Sequence, residues 1–316
     1  MHTERTPLIT VLGHTAAGKT GFAARLAHRL NGEILSADSR QVYRGMNIGT
    51  GKDLQDYVVD GNPVPHHLID VVDAGTEYNV YRFKNDFLRA YTDIRQRGKV
   101  PVLCGGSGLY LEAILRDYSM LHVPVDEALR ADLESRSYEE LKSLLALYGP
   151  LHNTTDTVNR KRLVRAIEIA MHQGSQETED RKPAELDSLV LGIRFERMNR
   201  RDRITRRLEQ RLKEGLVEEV EALHRQGISH EKLEYYGLEY RFVSRYLARI
   251  LTYEEMVSGL NTAIHQFAKR QMTYFRGMER RGIDIVWLRG ENPPEDTLER
   301  AVDLSRVLLA RSGSVI

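Results

Sequence analysis

A glycine-rich turn near the start of the chain reads Gly13-His14-Thr15-Ala16-Ala17-Gly18-Lys19-Thr20. It follows the apolar run Leu8–Leu12, typical of a buried parallel strand, and it precedes apolar residues at helical spacing from Phe22 to Leu30. Strand, G-x-x-x-x-G-K-T turn and helix together form the pattern of a phosphate-binding P-loop. Backbone N–H groups and the lysine of such a turn surround an anion, and Thr20 is placed to ligate Mg²⁺. The pattern therefore predicts phosphate binding by all eight residues and leaves the identity of the phosphate open.

The bulk composition excludes several classes of protein. Of the 316 residues, 41% are hydrophobic and 29% are charged, which is ordinary for a globular protein. The net charge of +1 provides no global field for nucleic acid, so any basic surface has to be local. The single cysteine, Cys104, excludes an internal disulfide and a cysteine-rich zinc site. Because the chain also lacks a membrane-length apolar run and a signal-peptide core, we expect a cytoplasmic protein without membrane contact.

Two further apolar strands end in polar residues. The strand Glu33–Ala37 leads into Asp38, and the strand Val100–Cys104 leads into a second glycine-rich turn that contains Ser107. Open α/β sheets bind ligands at the carboxyl ends of their strands, so we expect both side chains beside the P-loop. Asp38 suits a general base or a metal ligand, although an aspartate here also suits a simple turn cap. Ser107 suits a hydrogen bond to phosphate, and its alternative is a plain turn serine.

The middle of the chain changes from alternating strands and helices to helical periodicity alone. This periodicity covers Asp126–Tyr148 and Thr157–His172, and a polar linker follows at Gly174–Asp180. The remaining predicted elements are a strand at Leu189–Phe195, helices at about Arg200–Gln226 and Thr252–Arg281, a strand at Ile283–Leu288 and a helix near Pro294–Leu309. The predicted fold is α/β: a P-loop NTPase-like parallel sheet flanked by helices at 1–117 and 184–316, interrupted by an all-helical insertion domain at 118–183.

Basic residues concentrate in three places: Arg194–Lys213, Arg160–Arg165 and Lys269–Arg281. Within the first, Arg203, Arg207 and Arg211 recur every four residues and therefore share one face of a helix. A charge run usually marks a solvated helix face, but three clusters in a nearly neutral chain favour a phosphate-rich partner such as RNA.

The adjacent histidines His66 and His67 point to opposite sides of an extended segment, so they cannot chelate one metal ion together. We therefore expect structural or hydrogen-bonding roles for both.

These motifs, in this order, resemble those of the tRNA dimethylallyltransferases (tRNA isopentenyltransferases) of bacterial type. The matching segments are Gly13–Thr20, Asp38–Tyr43, Asn47–Lys52, Pro65–Asp70, Gly105–Tyr110, Arg162–Glu168 and Phe267–Gln271. The resemblance implies transfer of a dimethylallyl group from its diphosphate to N6 of an adenine in tRNA. That adenine is adjacent to the 3′ side of the anticodon, in tRNAs that read codons beginning with U.

The resemblance also implies roles for individual residues. The P-loop and Arg211 would bind the diphosphate, and Mg²⁺ on Thr20 would neutralise it as it leaves. Asp38 would be the general base for the adenine amine, and Ser107 would contact the diphosphate where the family usually has threonine. The anticodon stem-loop, with its target base flipped out of the stack, would be bound by Asp38, Ser39, Arg40, Gln41, Arg130, Lys161, Arg162, Leu163, Val164, Arg165, Lys269 and Arg270. The sequence leaves the oligomeric state open, with a monomer expected.

The chain departs from the family pattern in three places, which leaves details of RNA contact open. Gly51 replaces the common alanine, Gly237-Leu238 replaces Gly-Tyr, and Phe267 replaces a tyrosine.

Three other functions compete with this interpretation. An isopentenyltransferase acting on free adenine nucleotides shares most core motifs, although the basic insertion argues against it. A P-loop small-molecule kinase accounts for the first motif, but no clear apolar strand ends in a Walker B-type aspartate. A non-enzymatic RNA-binding protein needs neither Lys19 and Thr20 nor Asp38.

Overall fold

The computed structural model describes residues 6–118, 123, 125–148, 157, 159–173 and 186–312. The chain forms two compact units: Met1–Tyr118 together with Ala184–Ile316, and the intervening Ser119–Pro183. The linker predicted at Gly174–Asp180 lies outside the described residues. Within those residues, no helix has the length and apolar character that crossing a membrane requires.

The larger unit contains all the described strands and most of the helices. The strands are β1 Thr6–Gly13, β2 Gly32–Ala37, β3 Tyr43–Arg44, β4 Val58–Val59, β5 Asn62–Pro63, β6 His66–His67, β7 Val72–Asp73, β8 Val100–Gly105, β9 Leu186–Arg194 and β10 Ile285–Arg289. Its helices are α1 Lys19–Arg29, α2 Val80–Gln96, α3 Gly108–Leu115, α7 Arg197–Lys213, α8 Leu216–Arg225, α9 His230–Tyr235, α10 Leu238–Leu247, α11 Tyr253–Arg280 and α12 Pro294–Arg311. The smaller unit contributes α4 Glu127–Ser135, α5 Tyr138–Ala146 and α6 Arg160–Gln173.

Six strands form one parallel sheet in the order β10-β9-β1-β8-β2-β6. Helices cover both faces of the sheet, and the side chains of β1 alternate between the two faces. Leu8 and Leu12 join an apolar cluster with α2, α3 and α7 to α11, whereas Ile9 and Val11 join another with α1 and α12. Strands buried on both faces read as continuous apolar runs, which is why the sequence revealed them. The predicted α/β core is therefore present.

The smaller unit is built around the buried side chains Leu133, Leu141, Leu145, Leu163, Val164 and Ile167. A buried carboxylate, Glu168, ties its helices together. Glu168 accepts hydrogen bonds from the guanidinium of Arg130 at 3.0 Å and from the backbone N–H of Asp126 at 2.9 Å, and it pairs with Arg165 at 2.5 Å.

Two predicted helical segments are each divided in the structure. The helix predicted over Arg200–Gln226 ends at Lys213, because Gly215 adopts a left-handed φ of 102° that reorients the chain before α8. The periodic segment Asp126–Tyr148 contains two helices, since Ser137 and Glu140 form a capping box that starts α5. Apolar periodicity continues across both breaks, and so it concealed them.

Candidate active site

The P-loop joins β1 to α1 at the carboxyl edge of the sheet. Ala16 and Gly18 have left-handed φ angles of 60° and 73°, and the N–H of Ala17 donates to the carbonyl of His14 at 3.3 Å. The first N–H groups of α1 lack acceptors within the helix, as at every helix start. They lie where the turn and the helix dipole favour an anion. Phosphate binding here stays a prediction that this geometry suits.

Lys19 extends from the P-loop toward the second glycine-rich turn. Its Cε lies 3.4 Å from the point that a Cβ on Gly106 would occupy. Burial lowers the pKa of the Lys19 ammonium, and the positive charges of Arg207 and Arg211 lower this pKa as well. The negative charge of Asp38 opposes the shift. Burial also raises the pKa of the neighbouring Cys104 to about 12, so the thiol stays protonated at neutral pH. A half-buried ammonium among other cations is stabilised by an anionic ligand.

Asp38 and Ser107 lie close together because β2 and β8 are neighbours, with Ala37 in register with Gly105. The Oδ1 atom of Asp38 accepts from the N–H groups of Arg40 at 2.9 Å and Gln41 at 3.4 Å. Asp38 therefore does cap a turn, but among the described residues no hydrogen bond reaches its Oδ2. The Ser107 hydroxyl accepts from the N–H of Ser39 at 3.0 Å and donates to the Ser39 hydroxyl at 3.3 Å. One carboxylate oxygen is thus held by the fold, and the other remains available for a substrate.

The arginine stripe on α7 faces the loops at this edge of the sheet. The Nε of Arg203 donates to the carbonyl of Ala16 at 2.9 Å, and its guanidinium stacks 4.4 Å from the ring centroid of Phe195. Arg207 pairs with Asp53. Both arginines therefore contact loops of the core unit, while Arg203 stays exposed to solvent and Arg207 is partly buried.

Arg211 ends the stripe as a buried cation. Its side chain lies against Gly51, where a Cβ would come within 1.9 Å of the guanidinium Nη2. Only 8% of Arg211 is exposed, and in the described chain its ion pair is with Glu239, a long one at 3.7 Å. Burial lowers the pKa of Arg211 and raises that of Glu239. The departure from alanine at Gly51 therefore provides the space that this guanidinium occupies.

Sequence reasoning missed the residue that anchors the loop carrying Gly51. The carboxylate of Glu219 accepts from the N–H groups of Asn47 at 2.8 Å, Ile48 at 2.7 Å and Gly49 at 3.0 Å. Tyr240 donates its hydroxyl to the same carboxylate at 2.8 Å. The motif Asn47–Lys52 marks this loop in the sequence. Glu219 lies about 170 residues away, and no local pattern marks Glu219 as its partner.

The predicted tRNA-binding residues differ in exposure and in the partners that they already have. Lys161, Arg162, Lys269 and Arg270 are exposed, and Arg40 stacks over Tyr235 at 5.2 Å. In contrast, Leu163 and Val164 are buried in the apolar core of the smaller unit, and Arg130 and Arg165 bind Glu168. Contact with RNA stays a prediction for all of them, and the exposed cations are the side chains placed to make it.

The two adjacent histidines have structural contacts. His67 Nε2 lies 2.7 Å from a carboxylate oxygen of Glu33, and His66 stacks on Tyr57. In the described part of the chain, no three histidine, cysteine, aspartate or glutamate side chains are grouped to hold a metal ion. Both histidines therefore have the structural and hydrogen-bonding contacts that the sequence predicted.

Comparison with known proteins identifies the family. The family model described as IPP transferase matches residues 41–278 of the sequence. The chain belongs to this family. The chain is 53% identical over 291 residues to tRNA dimethylallyltransferase 2 of Bacteroides fragilis, covering 92% of this chain and 95% of that relative. It is 52% identical over 303 residues to tRNA dimethylallyltransferase 2 of Citrifermentans bemidjiense, covering 95% and 96%. The resemblance inferred from the motifs is therefore confirmed.

Solved structures agree with this assignment. The full-length tRNA isopentenylpyrophosphate transferase of Bacillus halodurans superposes with a TM-score of 0.71 at 30% identity, over 98% of each chain. A eukaryotic dimethylallyltransferase acting on tRNA superposes with a TM-score of 0.79 at 23% identity, over 97% of this chain and 80% of that one, and shows the shared fold. The core has the P-loop NTPase-like fold that the sequence predicted.

Proposed function

We propose that this protein is a tRNA prenyltransferase. It transfers a dimethylallyl group from dimethylallyl diphosphate to N6 of the adenine adjacent to the 3′ side of the anticodon, in tRNAs that read codons beginning with U. The observation that carries the proposal is the grouping of Asp38, Lys19 and Arg211 at one edge of the sheet. A carboxylate with one available oxygen there lies beside the half-buried Lys19 and the buried Arg211, as deprotonating an amine and binding a diphosphate require.

The reaction exchanges one bond for another. The adenine nitrogen forms a bond to C1 of the dimethylallyl group, the C1–O bond breaks, and the bonding pair leaves with the diphosphate. The P-loop N–H groups, Lys19 and Arg211 stabilise the charge on that leaving group. Oδ2 of Asp38 accepts the proton that the amine loses, while Oδ1 stays hydrogen-bonded to the turn.

The residues present fit a Mg²⁺ ion bound through Thr20. The Thr20 hydroxyl is partly exposed and has no hydrogen bond to another described residue. Mg²⁺ commonly takes one or two protein oxygens and completes its shell with phosphate oxygens and water, so the lack of an acidic cluster among the described residues is compatible with it. When bound, the ion would supply positive charge to the diphosphate.

The ends of the strands beside the P-loop weigh against a kinase. On one side of β1, strand β8 ends at Cys104-Gly105, and on the other side β9 ends at Arg194. Neither strand ends in an acidic residue that could hold the metal of a bound nucleoside triphosphate. Asp38 follows β2, one strand further away from β1, where its carboxylate suits an acceptor base.

A tRNA acceptor is favoured over a free nucleotide by the relatives' names and by exposed cations far from the phosphate loops in sequence. Lys161 and Arg162 have no ion pair with another described residue, and an anticodon stem-loop presents many phosphates. We propose that the target base is flipped toward Asp38 and Gln41. A monomer in the cytoplasm is the expected state.

The Asp38→Asn variant tests the proposed base. Asparagine keeps an oxygen for the turn N–H groups and loses the proton acceptor, so we expect turnover to fall about 10²-fold or more with tRNA affinity unchanged. The measurement is single-turnover formation of prenylated adenosine, by mass spectrometry of tRNA incubated with enzyme and dimethylallyl diphosphate. Asp303→Asn, on the exposed side of α12, is the matched control. Near-normal rates in Asp38→Asn would refute the assignment, and phosphorylation of a small metabolite by ATP without prenyl transfer would refute the function.

A further inference from the structure

Gln271 connects the two glycine-rich loops of the site. It lies on α11, and only 8% of it is exposed. Its Oε1 accepts from the backbone N–H of Thr15 in the P-loop at 2.8 Å, and its Nε2 donates to the carbonyl of Gly106 in the second turn at 2.9 Å. One amide side chain therefore spans the ends of β1 and β8 with both of its polar atoms satisfied.

The second turn is shaped to admit this amide. A Cβ on Gly106 would lie 2.7 Å from the Gln271 Nε2, closer than real Cβ atoms approach, and 3.4 Å from the Cε of Lys19. The amide and the lysine stem thus share the space beside Gly106. The pairing of β1 with β8 brings the two loops together, and the amide bridges them beside the path of Lys19.

Gln271 also determines which P-loop donors remain for an anion. Gln271 accepts the hydrogen bond of the Thr15 N–H, and the carbonyl of His14 accepts that of the Ala17 N–H. The donors left include Ala16, Gly18 and the residues that begin α1. Arg203 on α7 donates to the Ala16 carbonyl at 2.9 Å, so side chains from α7 and α11 both hydrogen-bond to the P-loop. Donors held in place without a ligand bind an anion at lower entropic cost.

We propose that Gln271 is a positioning residue for the prenyl diphosphate: it holds the P-loop and the Ser107 turn at the separation that binds the two phosphates. The inference rests on the proposed function for the identity of the donor. Gln271 acts through the backbone of Thr15 and Gly106 and through Lys19, and it does not itself contact the reacting atoms.

Two near-isosteric variants test the two hydrogen bonds. Gln271→Met keeps the length of the side chain and removes both bonds, so we expect kcat/KM for the donor and the affinity for inorganic diphosphate to fall about 10-fold, with tRNA affinity unchanged. Gln271→Glu, when ionised, accepts from Thr15 but repels the Gly106 carbonyl. When protonated, the introduced carboxyl both accepts and donates, as the amide does.

The informative readout is the ratio of variant to wild-type kcat/KM as a function of pH. For Gln271→Glu the ratio rises as pH falls through the pKa of the introduced carboxyl, which burial raises and the facing ammonium of Lys19 lowers. For Gln271→Met the ratio stays flat. Gln210→Met, which removes only an exposed contact to Glu214, is the control, and Tm is measured for every variant.

The outcomes separate the two proposals. Wild-type diphosphate affinity in both Gln271 variants would overturn the positioning role. If Gln271→Met does not fold, Gln271→Asn, which keeps both polar groups on a side chain one methylene shorter, decides by the same affinity measurement. A wild-type enzyme that binds diphosphate but does not prenylate tRNA would overturn the proposed function, and calorimetric titration with inorganic diphosphate would still decide the role of Gln271.

Discussion

Two arginine-rich helices, α7 and α6, look alike in sequence and are used differently in the structure. On α7 the stripe Arg203, Arg207 and Arg211 contacts a carbonyl, a carboxylate and a glycine within the core unit. On α6 the pattern is divided. Arg160 donates to carbonyls at the end of α4, Arg165 binds the buried Glu168, and Lys161 and Arg162 remain exposed.

The difference shows that a run of basic residues acquires its role from the groups that lie behind it. Arg211 has lost most of its hydration and has only a distant carboxylate partner, so an anionic ligand relieves the cost of its burial. Arg165 has a buried carboxylate as partner, and its charge is already compensated. Lys161 and Arg162 keep their water, and they gain from phosphate only through counterion release.

Arg211→Lys gives the largest expected effect within this comparison. A guanidinium binds a diphosphate through two N–H groups, which an ammonium cannot reproduce, so kcat/KM for the donor should fall about 10²-fold. The affinity for tRNA should stay within about twofold of the wild-type value. Steady-state kinetics measure kcat/KM for the donor, and a filter-binding assay measures the affinity for tRNA. The control is Arg206→Lys, because Arg206 lies on the same helix, is exposed and pairs with Asp202. A loss of tRNA binding with unchanged donor kinetics would assign Arg211 to the RNA surface instead.

Glu168→Gln should act on stability. Burial alone would raise the pKa of Glu168, but the hydrogen bonds from Arg130 and Arg165 outweigh it and hold the pKa below its usual value. Removing the charge leaves two guanidinium groups without a counterion and should lower the free energy of unfolding of the smaller unit by about 2 kcal/mol. Chemical denaturation monitored by hydrogen exchange in α4 to α6 measures it. Glu139→Gln, an exposed pair with Lys142, is the control and should change little.

The same carboxylate has a pH signature. Because the folded-state pKa of Glu168 is lowered, its contribution is fully present above the unfolded value of about 4.3 and is lost as pH falls through the folded pKa. The difference in stability between wild type and Glu168→Gln should therefore shrink in acid. A difference that persists at low pH would mean that packing, and not charge, causes the destabilisation.

The double variant Lys161→Gln with Arg162→Gln should have the smallest effect. Loss of two phosphate contacts should weaken tRNA binding several-fold and flatten the slope of log affinity against log salt by roughly one to two units. Donor kinetics should not change. Arg306→Gln with Arg311→Gln, exposed on α12, removes the same charge elsewhere. An unchanged salt slope, or prenylation of free AMP that ignores the variants, would favour a nucleotide acceptor.

Local pattern was sufficient to predict the P-loop, the buried parallel strands and the sheet-edge positions of Asp38 and Ser107. A glycine turn between an apolar strand and a helix involves only neighbouring residues, and strand ends meet at one edge in any parallel sheet. Local pattern was not sufficient for helix ends. The breaks at Gly215 and Ser137 interrupt helices whose apolar spacing continues on both sides.

The partners of the site residues came only from the fold. Glu219 holds the loop of Gly51, Gln271 joins Thr15 to Gly106, and Arg211 fills the space beside Gly51, over separations of about 160 to 256 residues. Periodicity reports which face of a helix is apolar, and it carries no information about which distant backbone a polar side chain will meet. That choice follows from packing α8 and α11 against the neighbouring helices of the core unit, which brings one carboxylate to three N–H groups and one amide to both loops.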